Sequence, residues 1–273
     1  MKNIITAVLA VCITLSYAIA PLSAASQTLV IEGSTTVLPI SQAIAETMMD
    51  TNKDLDISVR GGGSGVGITS IAAGTCDIGQ SSRPIKDDEL QKAAAKGKNI
   101  KAHVIAMDGI AVIVNPSNPV SAFSKKQVLD IFTGKISNWK EVGGSDMKIV
   151  VVSRDSASGT FEAFGELALN KQKVRADALM QASNQGVAVT ITKTPGAIGY
   201  VGVGYVTSAV KAVPIDGINV TKQTVLSGKY PYARPLFLYT NGAPTGSAKM
   251  FIDFLVSAQG QKIVEEQGFV GLK

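Results

Sequence analysis

The sequence predicts an α/β fold, and three observations support this class. Short apolar runs that are typical of strands alternate with helical patterns through most of the chain. Clusters of glycine and hydroxyl residues recur where a predicted strand ends and a predicted helix begins. No repeat or low-complexity segment interrupts the alternation. Because open α/β sheets bind ligands at such turns, the pattern also indicates where a ligand would lie.

The first predicted unit runs from about residue 26 to residue 107. Its strands are short apolar runs, and its helices follow turns that contain glycine, serine or proline. In chain order we predict strand 28–31, helix 37–51, strand 55–59, helix 68–73, strand 76–79, helix 87–95 and strand 100–106.

The second predicted unit begins with an apolar strand that stops at a segment containing two prolines. Its elements are strand 110–114, helix 125–132, strand 148–152, a helix after Arg154 and a helix near 174–181. From about residue 203 the pattern of the first unit returns. The last elements are strand 210–215, helix 221–226, strand 236–239 and two helical runs, 247–256 and 258–266.

The segment from Arg154 to Thr160 has the chemistry of a seat for a tetrahedral oxyanion. Arg154 supplies a rigid fork of donors, and Ser158 and Thr160 supply hydroxyl groups. Gly159 lets an anion approach the backbone at a predicted helix N-terminus, where unpaired N–H groups and the helix dipole favour negative charge. Taken alone, Ser-Gly-Thr before a helix is also a common N-cap.

Three further segments favour an anion site over isolated helix caps. Gly33-Ser34-Thr35-Thr36 and the glycine-rich run 61–67, with Ser64, lie between predicted strands and helices, and Ser81-Ser82-Arg83 follows strand 76–79. The glycine-rich run is not a dinucleotide-binding motif, because Val66 or Ile68 stands where the last glycine would be required. No Gly-Lys pair is followed by serine or threonine, so a P-loop is also excluded.

The N-terminus has the layout of a cleaved secretory signal peptide, residues 1–25. Lys2 precedes an apolar stretch, and small residues precede the predicted cut near Ala25. The alternatives are a membrane anchor, for which the stretch is slightly short, and a lipoprotein anchored through Cys12. Cleavage at this point predicts an extracytoplasmic, periplasmic protein.

Composition excludes several classes of function. After cleavage Cys76 is the single cysteine, so an internal disulfide cannot form, and we expect a buried apolar role for it. His103 is the single histidine and alternates with apolar residues as in a strand, so neither a metal site nor a Ser-His-Asp triad is predicted. The chain has 26 Lys and Arg against 21 Asp and Glu, without a basic block, which argues against nucleic acid and is compatible with a small anion.

Several motifs together resemble the phosphate-binding proteins of ABC-type phosphate importers. The resemblance extends over essentially the whole chain after residue 25 and keeps the family's order. The motifs are Gly33-Ser34-Thr35-Thr36, Ser81-Ser82-Arg83, Ile131 to Ile136 with Trp139, Arg154 to Thr160, Pro195 to Tyr200, and Tyr230-Pro231 with Arg234-Pro235-Leu236.

This resemblance implies a type II periplasmic-binding-protein fold, in which two α/β lobes close on phosphate. It places lobe 1 at 26–109 plus 203–273 and lobe 2 at 110–202, with crossover strands near 107–110 and 201–204. It further implies a monomeric, non-enzymatic protein that needs no cofactor or metal. Its partners would be inorganic phosphate and the membrane permease of the importer.

The resemblance also assigns the ligand-binding residues. Some branches of the family have a carboxylate where this chain has Ser82, so we expect Asp108 to supply the acid, with Asp77 as the alternative. Arg83 could instead pair with Asp108 or face solvent. The predicted phosphate-binding residues are Ser34, Thr35, Thr36, Ser64, Ser82, Arg83, Asp108, Arg154, Ser158, Gly159 and Thr160.

Three other functions remain to be weighed against phosphate transport. A phosphatase would need an activated nucleophile or metal-bound water, and the sequence has no cluster of histidines and carboxylates for that purpose. The same fold could bind sulfate, molybdate or tungstate. An adhesin or a scavenger at the cell surface is the third alternative.

Overall fold

The computed structural model describes residues 27–272. The predicted signal peptide lies outside these residues. Within them, no helix has both the length and the hydropathy that a membrane span requires.

The described residues form nine strands in one hydrogen-bonded array. Its order is β2-β1-β3-β9-β4-β7-β5-β6, and β8 pairs separately with β4. Pairing is parallel among β1, β2 and β3 and among β5, β6 and β7, whereas β9 and β4 run antiparallel to their neighbours. The strands are β1 Gln27–Gly33, β2 Leu55–Arg60, β3 Ile78–Ser81, β4 Ile100–Val114, β5 Val150–Arg154, β6 Leu179–Gln181, β7 Ala197–Gly202, β8 Lys211–Ala212 and β9 Ala233–Asn241.

Helices cover the sheet, and their ends follow the local sequence. At α4, for example, the Ser124 hydroxyl accepts from Gln127 N–H, the Gln127 side chain accepts from Ser124 N–H, and Gly134 ends the helix at a φ of 89°. The helices are α1 Leu38–Thr51, α2 Ser64–Ala73, α3 Asp87–Ala95, α4 Lys125–Thr133, α5 Gly159–Leu167, α6 Asn184–Lys193, α7 Lys222–Leu226, α8 Gly246–Val256 and α9 Ala258–Glu266.

The long strand β4 joins two hydrophobic cores. Its first part pairs with β9 as far as Gly109, and from Ile110 it pairs with β7. The sequence suggested two strands separated near this point, and the structure has one continuous strand that changes its partner there. One core lies beside the first part of β4 and contains Ile31, Ile40, Ile44, Leu238 and Phe251. The other lies beside the second part and contains Phe132, Trp139, Phe164, Tyr200 and Tyr232.

The predicted helix near 174–181 is wrong. Residues 179–181 form β6, which pairs in parallel with β5, and the helix of this region is α6, at Asn184–Lys193. Pairing with β5 overrides the local helical pattern. The Ser183 hydroxyl accepts from Gly186 N–H and thereby caps the start of α6.

The segment 210–232 packs with the second core. The family resemblance places this segment in lobe 1. Strand β8 pairs with the end of β4, and Tyr232 makes an edge-to-face contact with Phe164 at 5.9 Å between ring centroids. Strand pairing thus ties this segment to the second half of the sheet. We propose that lobe 2 consists of 110–202 plus about 210–232, and lobe 1 of 27–109 plus 233–272.

Glycines let helix α2 lie directly on the sheet. A Cβ at Gly67 would lie 2.6 Å from the Glu32 carbonyl oxygen and 2.8 Å from that of Gln80. These atoms belong to the backbone of β1 and β3 and cannot move aside cheaply. At Gly65, in the same helix, the nearest atom would be 3.5 Å from an added Cβ, which is an ordinary contact.

We therefore expect Gly67→Ala to lower the free energy of unfolding by about 1–3 kcal/mol, the usual cost of overpacking. Gly65→Ala is the matched control and should change that free energy by less than about 1 kcal/mol, because alanine favours the helix. Urea denaturation of both variants measures the difference. Equal denaturation midpoints would contradict this account of the contact between α2 and the sheet.

Candidate functional site

The predicted anion-binding segments meet where the two lobes face each other. From lobe 1 come the turn after β1, with Ser34 to Thr36, the start of α2 and the turn after β3. From lobe 2 come the end of β5 and the start of α5. The side chains brought together in this way, all of them buried, are Ser34, Thr35, Thr36, Ser64, Ser82, Arg154, Ser158 and Thr160.

Contacts across the cleft are short. The hydroxyl oxygens of Thr36 and Thr160 are 2.9 Å apart, and Gly65 N–H donates to the Ala157 carbonyl at 3.0 Å. A Cβ at Gly159 would lie 2.2 Å from the Ser64 hydroxyl oxygen. Only glycine therefore allows the start of α5 to lie against lobe 1.

The start of α5 has the features that the sequence predicted for an anion seat. Ser158 is its N-cap, and the Ser158 hydroxyl accepts from Phe161 N–H at 3.1 Å. The first N–H groups of the helix and the positive end of its dipole lie beside Gly159 and Thr160. The same turn can thus cap the helix and offer N–H groups to an anion.

Arg154 is buried at the centre of the site. Its Nε donates to the Gln181 carbonyl at 3.0 Å, and one terminal nitrogen donates to the Thr35 hydroxyl at 3.2 Å and to the Ala182 carbonyl at 3.1 Å. The other terminal nitrogen, also buried, has no hydrogen-bond partner among the described residues. Burial lowers the pKa of Arg154, but a guanidinium keeps its proton in proteins. The site therefore has a fixed positive charge and one guanidinium nitrogen that is available to donate to a ligand.

Arg83 does not belong to this group, contrary to the expectation from sequence. Its guanidinium binds the Glu89 carboxylate through two nitrogens, at 2.7 and 2.8 Å, and its Nε lies 3.0 Å from a Glu162 carboxylate oxygen. Burial alone would lower the pKa of Arg83, but the hydrogen bonds that it donates to Glu89 and the charge of Glu162 raise that pKa overall. Because both carboxylates line an open surface cleft together with Arg83, the Arg83 side chain lies at the rim of the site.

Asp108 is fully buried beside the site, where it pairs with Arg234. One carboxylate oxygen accepts from Nε and a terminal nitrogen of Arg234, at 2.9 and 2.7 Å, and the other accepts from Val203 N–H at 2.9 Å. Burial raises the pKa of Asp108, and the charge of Arg234 opposes that rise. The alternative acid, Asp77, is exposed and accepts from Val30 N–H at 2.8 Å, which fits a loop cap.

Two site residues were missed as candidates. Arg234 reaches the Thr160 hydroxyl at 3.0 Å and the Ser82 carbonyl at 3.0 Å, so it touches both lobes. Asn184 donates to the hydroxyls of Thr35 and Thr36, at 3.1 and 3.0 Å. A charged residue at the start of the apolar run of β9 was a usable signal for Arg234, whereas nothing in the sequence distinguishes Asn184 from an ordinary first helical residue.

The other polar groups considered in the sequence lie elsewhere. His103 is on β4, where its Nε2 contacts the Thr240 hydroxyl at 2.8 Å, and Cys76 is buried, as predicted. Among residues 27–272, no group of three or more histidine, cysteine, aspartate or glutamate residues could hold a metal ion. The arrangement is one of hydroxyl, amide and guanidinium donors around a buried point, which is chemistry for binding an oxyanion.

Comparison with known proteins identifies the family. A family model described as a PBP superfamily domain matches residues 18–259. The phosphate-binding protein PstS of Bacillus subtilis is 40% identical over 248 residues, which cover 90% of this chain and 81% of the relative. The chain belongs to the PstS family of the PBP superfamily. The resemblance seen in the sequence motifs is thereby confirmed.

Solved structures related to PstS agree with this assignment. A protein of Clostridium perfringens, described as a phosphate ABC transporter substrate-binding protein and solved with bound phosphate, superposes with a TM-score of 0.85 at 36% identity. The alignment covers 90% of this chain and all of that one. An ABC-type phosphate transport receptor of Vibrio cholerae gives a TM-score of 0.72 at 31% identity, covering 89% and 99% of the two chains. The predicted α/β periplasmic-binding-protein fold is confirmed.

Proposed function

We propose that this protein binds inorganic phosphate outside the cytoplasm and delivers it to the permease of an ABC-type importer. The observation that carries the proposal is the convergence of hydroxyl and guanidinium donors from both lobes on one buried point. The relatives named as phosphate-binding proteins and the neighbour solved with phosphate support it. We further propose that the protein acts as a monomer, as the sequence analysis expected.

The charges at the site favour an anion. Arg154 and Arg234 are buried there, and the buried carboxylate of Asp108 pairs with Arg234. The charge of the neighbouring Asp155 raises the pKa of Arg154 but does not outweigh the lowering by burial, so Arg154 remains an incompletely compensated buried charge. A buried charge is costly unless it is paired, so an anion in contact with Arg154 and the hydroxyls would stabilise the closed site.

Phosphate hydrolysis is less well supported than binding. Ser158 is a helix cap that accepts from Phe161 N–H, and the contacts of the described residues give it no histidine or carboxylate as a base. The relatives are named for binding and transport, not for catalysis.

Direct binding measurements distinguish phosphate from other oxyanions as the ligand. In calorimetry and thermal-shift titrations of protein freed of ligand, we expect phosphate to bind and to raise the melting temperature with concentration. Sulfate and molybdate at the same concentrations should have little effect. A larger shift with sulfate or molybdate would contradict the choice of phosphate.

The contribution of Arg154 is tested by truncation. Removing one partner of a desolvated charge pair costs about 2–5 kcal/mol, so Arg154→Ala should weaken phosphate binding by roughly 30-fold or more. Arg154→Lys should recover only part of the loss, because an ammonium cannot form the forked contact. Arg60→Ala, which removes an exposed arginine, is the control and should bind within about threefold of the wild type. Near-native affinity of Arg154→Ala in calorimetry would remove this residue from the site.

Asp108 is proposed to make the site prefer phosphate to sulfate. At neutral pH phosphate retains a P–OH donor, which a carboxylate accepts, and sulfate has no such donor. Asp108→Asn should raise the affinity for sulfate relative to phosphate, because the neutral amide no longer repels sulfate and no longer offers a carboxylate to the P–OH of phosphate. Asp77→Asn is the control and should leave the ratio of the two affinities unchanged. If Asp108→Asn lowers both affinities by the same factor, Asp108 acts only by holding Arg234.

A further inference from the structure

Four charged side chains at the rim of the cleft form a cluster that the proposed binding site does not use. We call Arg83, Lys86, Glu89 and Glu162 the rim cluster. All four line an open surface cleft whose other walls include Gly65 and Ala157, the two residues whose backbones bond across the lobes. The rim cluster therefore lies where the lobes meet at the surface.

Glu162 links the two lobes within this cluster. It lies in the first turn of α5, directly after the Ser158–Thr160 seat, whereas Arg83 and Lys86 belong to lobe 1. One of its carboxylate oxygens is 3.0 Å from Arg83 Nε, and the other contacts Lys86 Nζ. Both oxygens of a lobe 2 carboxylate are thus bound to cations of lobe 1.

Glu89 prepares Arg83 for this contact. It is on α3 of the same lobe and binds the two terminal nitrogens of Arg83. Because both residues belong to lobe 1, this pair does not depend on closure, and it holds the guanidinium where Nε lies 3.0 Å from the Glu162 carboxylate. Because Glu89 already holds both terminal nitrogens of Arg83, little side-chain entropy remains to be lost when Glu162 makes its contact.

We propose that Glu162 is a closure latch, a positioning residue that holds the lobes together without touching the bound anion. This inference rests on the proposed phosphate function and adds a determinant of ligand release to it. Closure brings Glu162 to two cations, and opening must break both contacts while the ligand is still bound. The latch should therefore act on the rate of phosphate dissociation more than on the rate of association.

The test compares Glu162→Gln with the wild type in stopped-flow phosphate binding. We expect dissociation to become about tenfold faster, because a partly buried ion pair is lost, and association to stay within about twofold. Small-angle scattering at saturating phosphate should show a larger mean radius of gyration for the variant. Glu166→Gln is the matched control. Glu166 is exposed one turn later on α5, and its substitution removes the same charge without touching the rim cluster.

A second variant keeps the test valid if Glu162→Gln folds poorly. Lys86 is 52% exposed, and Lys86→Gln should accelerate release by a smaller factor. In the double variant the two effects should not multiply, because both substitutions remove the same contact. If phosphate binds the wild type but Glu162→Gln and Lys86→Gln release it as slowly as Glu166→Gln, the latch is overturned and the proposed function stands. If the wild type does not bind phosphate, both the latch and the proposed function are overturned.

Discussion

The structure around the site depends on the buried ion pair of Asp108 and Arg234. The two residues are direct partners in the register of β4 and β9, two positions before Ile110, where β4 begins to pair with β7. Burying two charges is costly unless their hydrogen bonds are satisfied, and here the carboxylate also binds Val203 N–H, beyond the end of β7. The pair therefore joins the strand that crosses between the lobes to the segment that leaves lobe 2.

This pair also explains why so many small residues surround it. Arg234 reaches carbonyl or hydroxyl oxygens of Ser82, Gly159 and Thr160, which is possible only if the lobes approach closely. A Cβ at Gly202 would lie 2.7 Å from the Thr36 side chain and 3.2 Å from the Asp108 carboxylate, and one at Gly159 would collide with Ser64. Glycine at these positions is thus a consequence of the close contact between the lobes.

Local chemistry could be predicted from the sequence, whereas pairing over long distances could not. The seat from Arg154 to Thr160 and the turn from Ser34 to Thr36 are recognisable because their donors are neighbours in the chain. Asp108 and Arg234 are 126 positions apart, and only the register of two antiparallel strands brings them together. The same reason explains the wrong helix near 174–181, where pairing with β5 decides the conformation.

Arg83 illustrates a further limit of reasoning from neighbours. Ser82 and Arg83 are adjacent in the sequence, and both were expected to face the anion. Beyond the end of β3 the chain bends at Ser82 and Arg83, where the Ser81 hydroxyl donates to the Arg83 carbonyl at 2.7 Å, so adjacent side chains need not share a direction. The Ser82 hydroxyl lies 3.3 Å from that of Ser64, whereas the Arg83 guanidinium contacts Glu89 and Glu162. Ser82 can thus contact the ligand while Arg83 contributes to the contact between the lobes. Two residues that are adjacent in a sequence motif need not share a function.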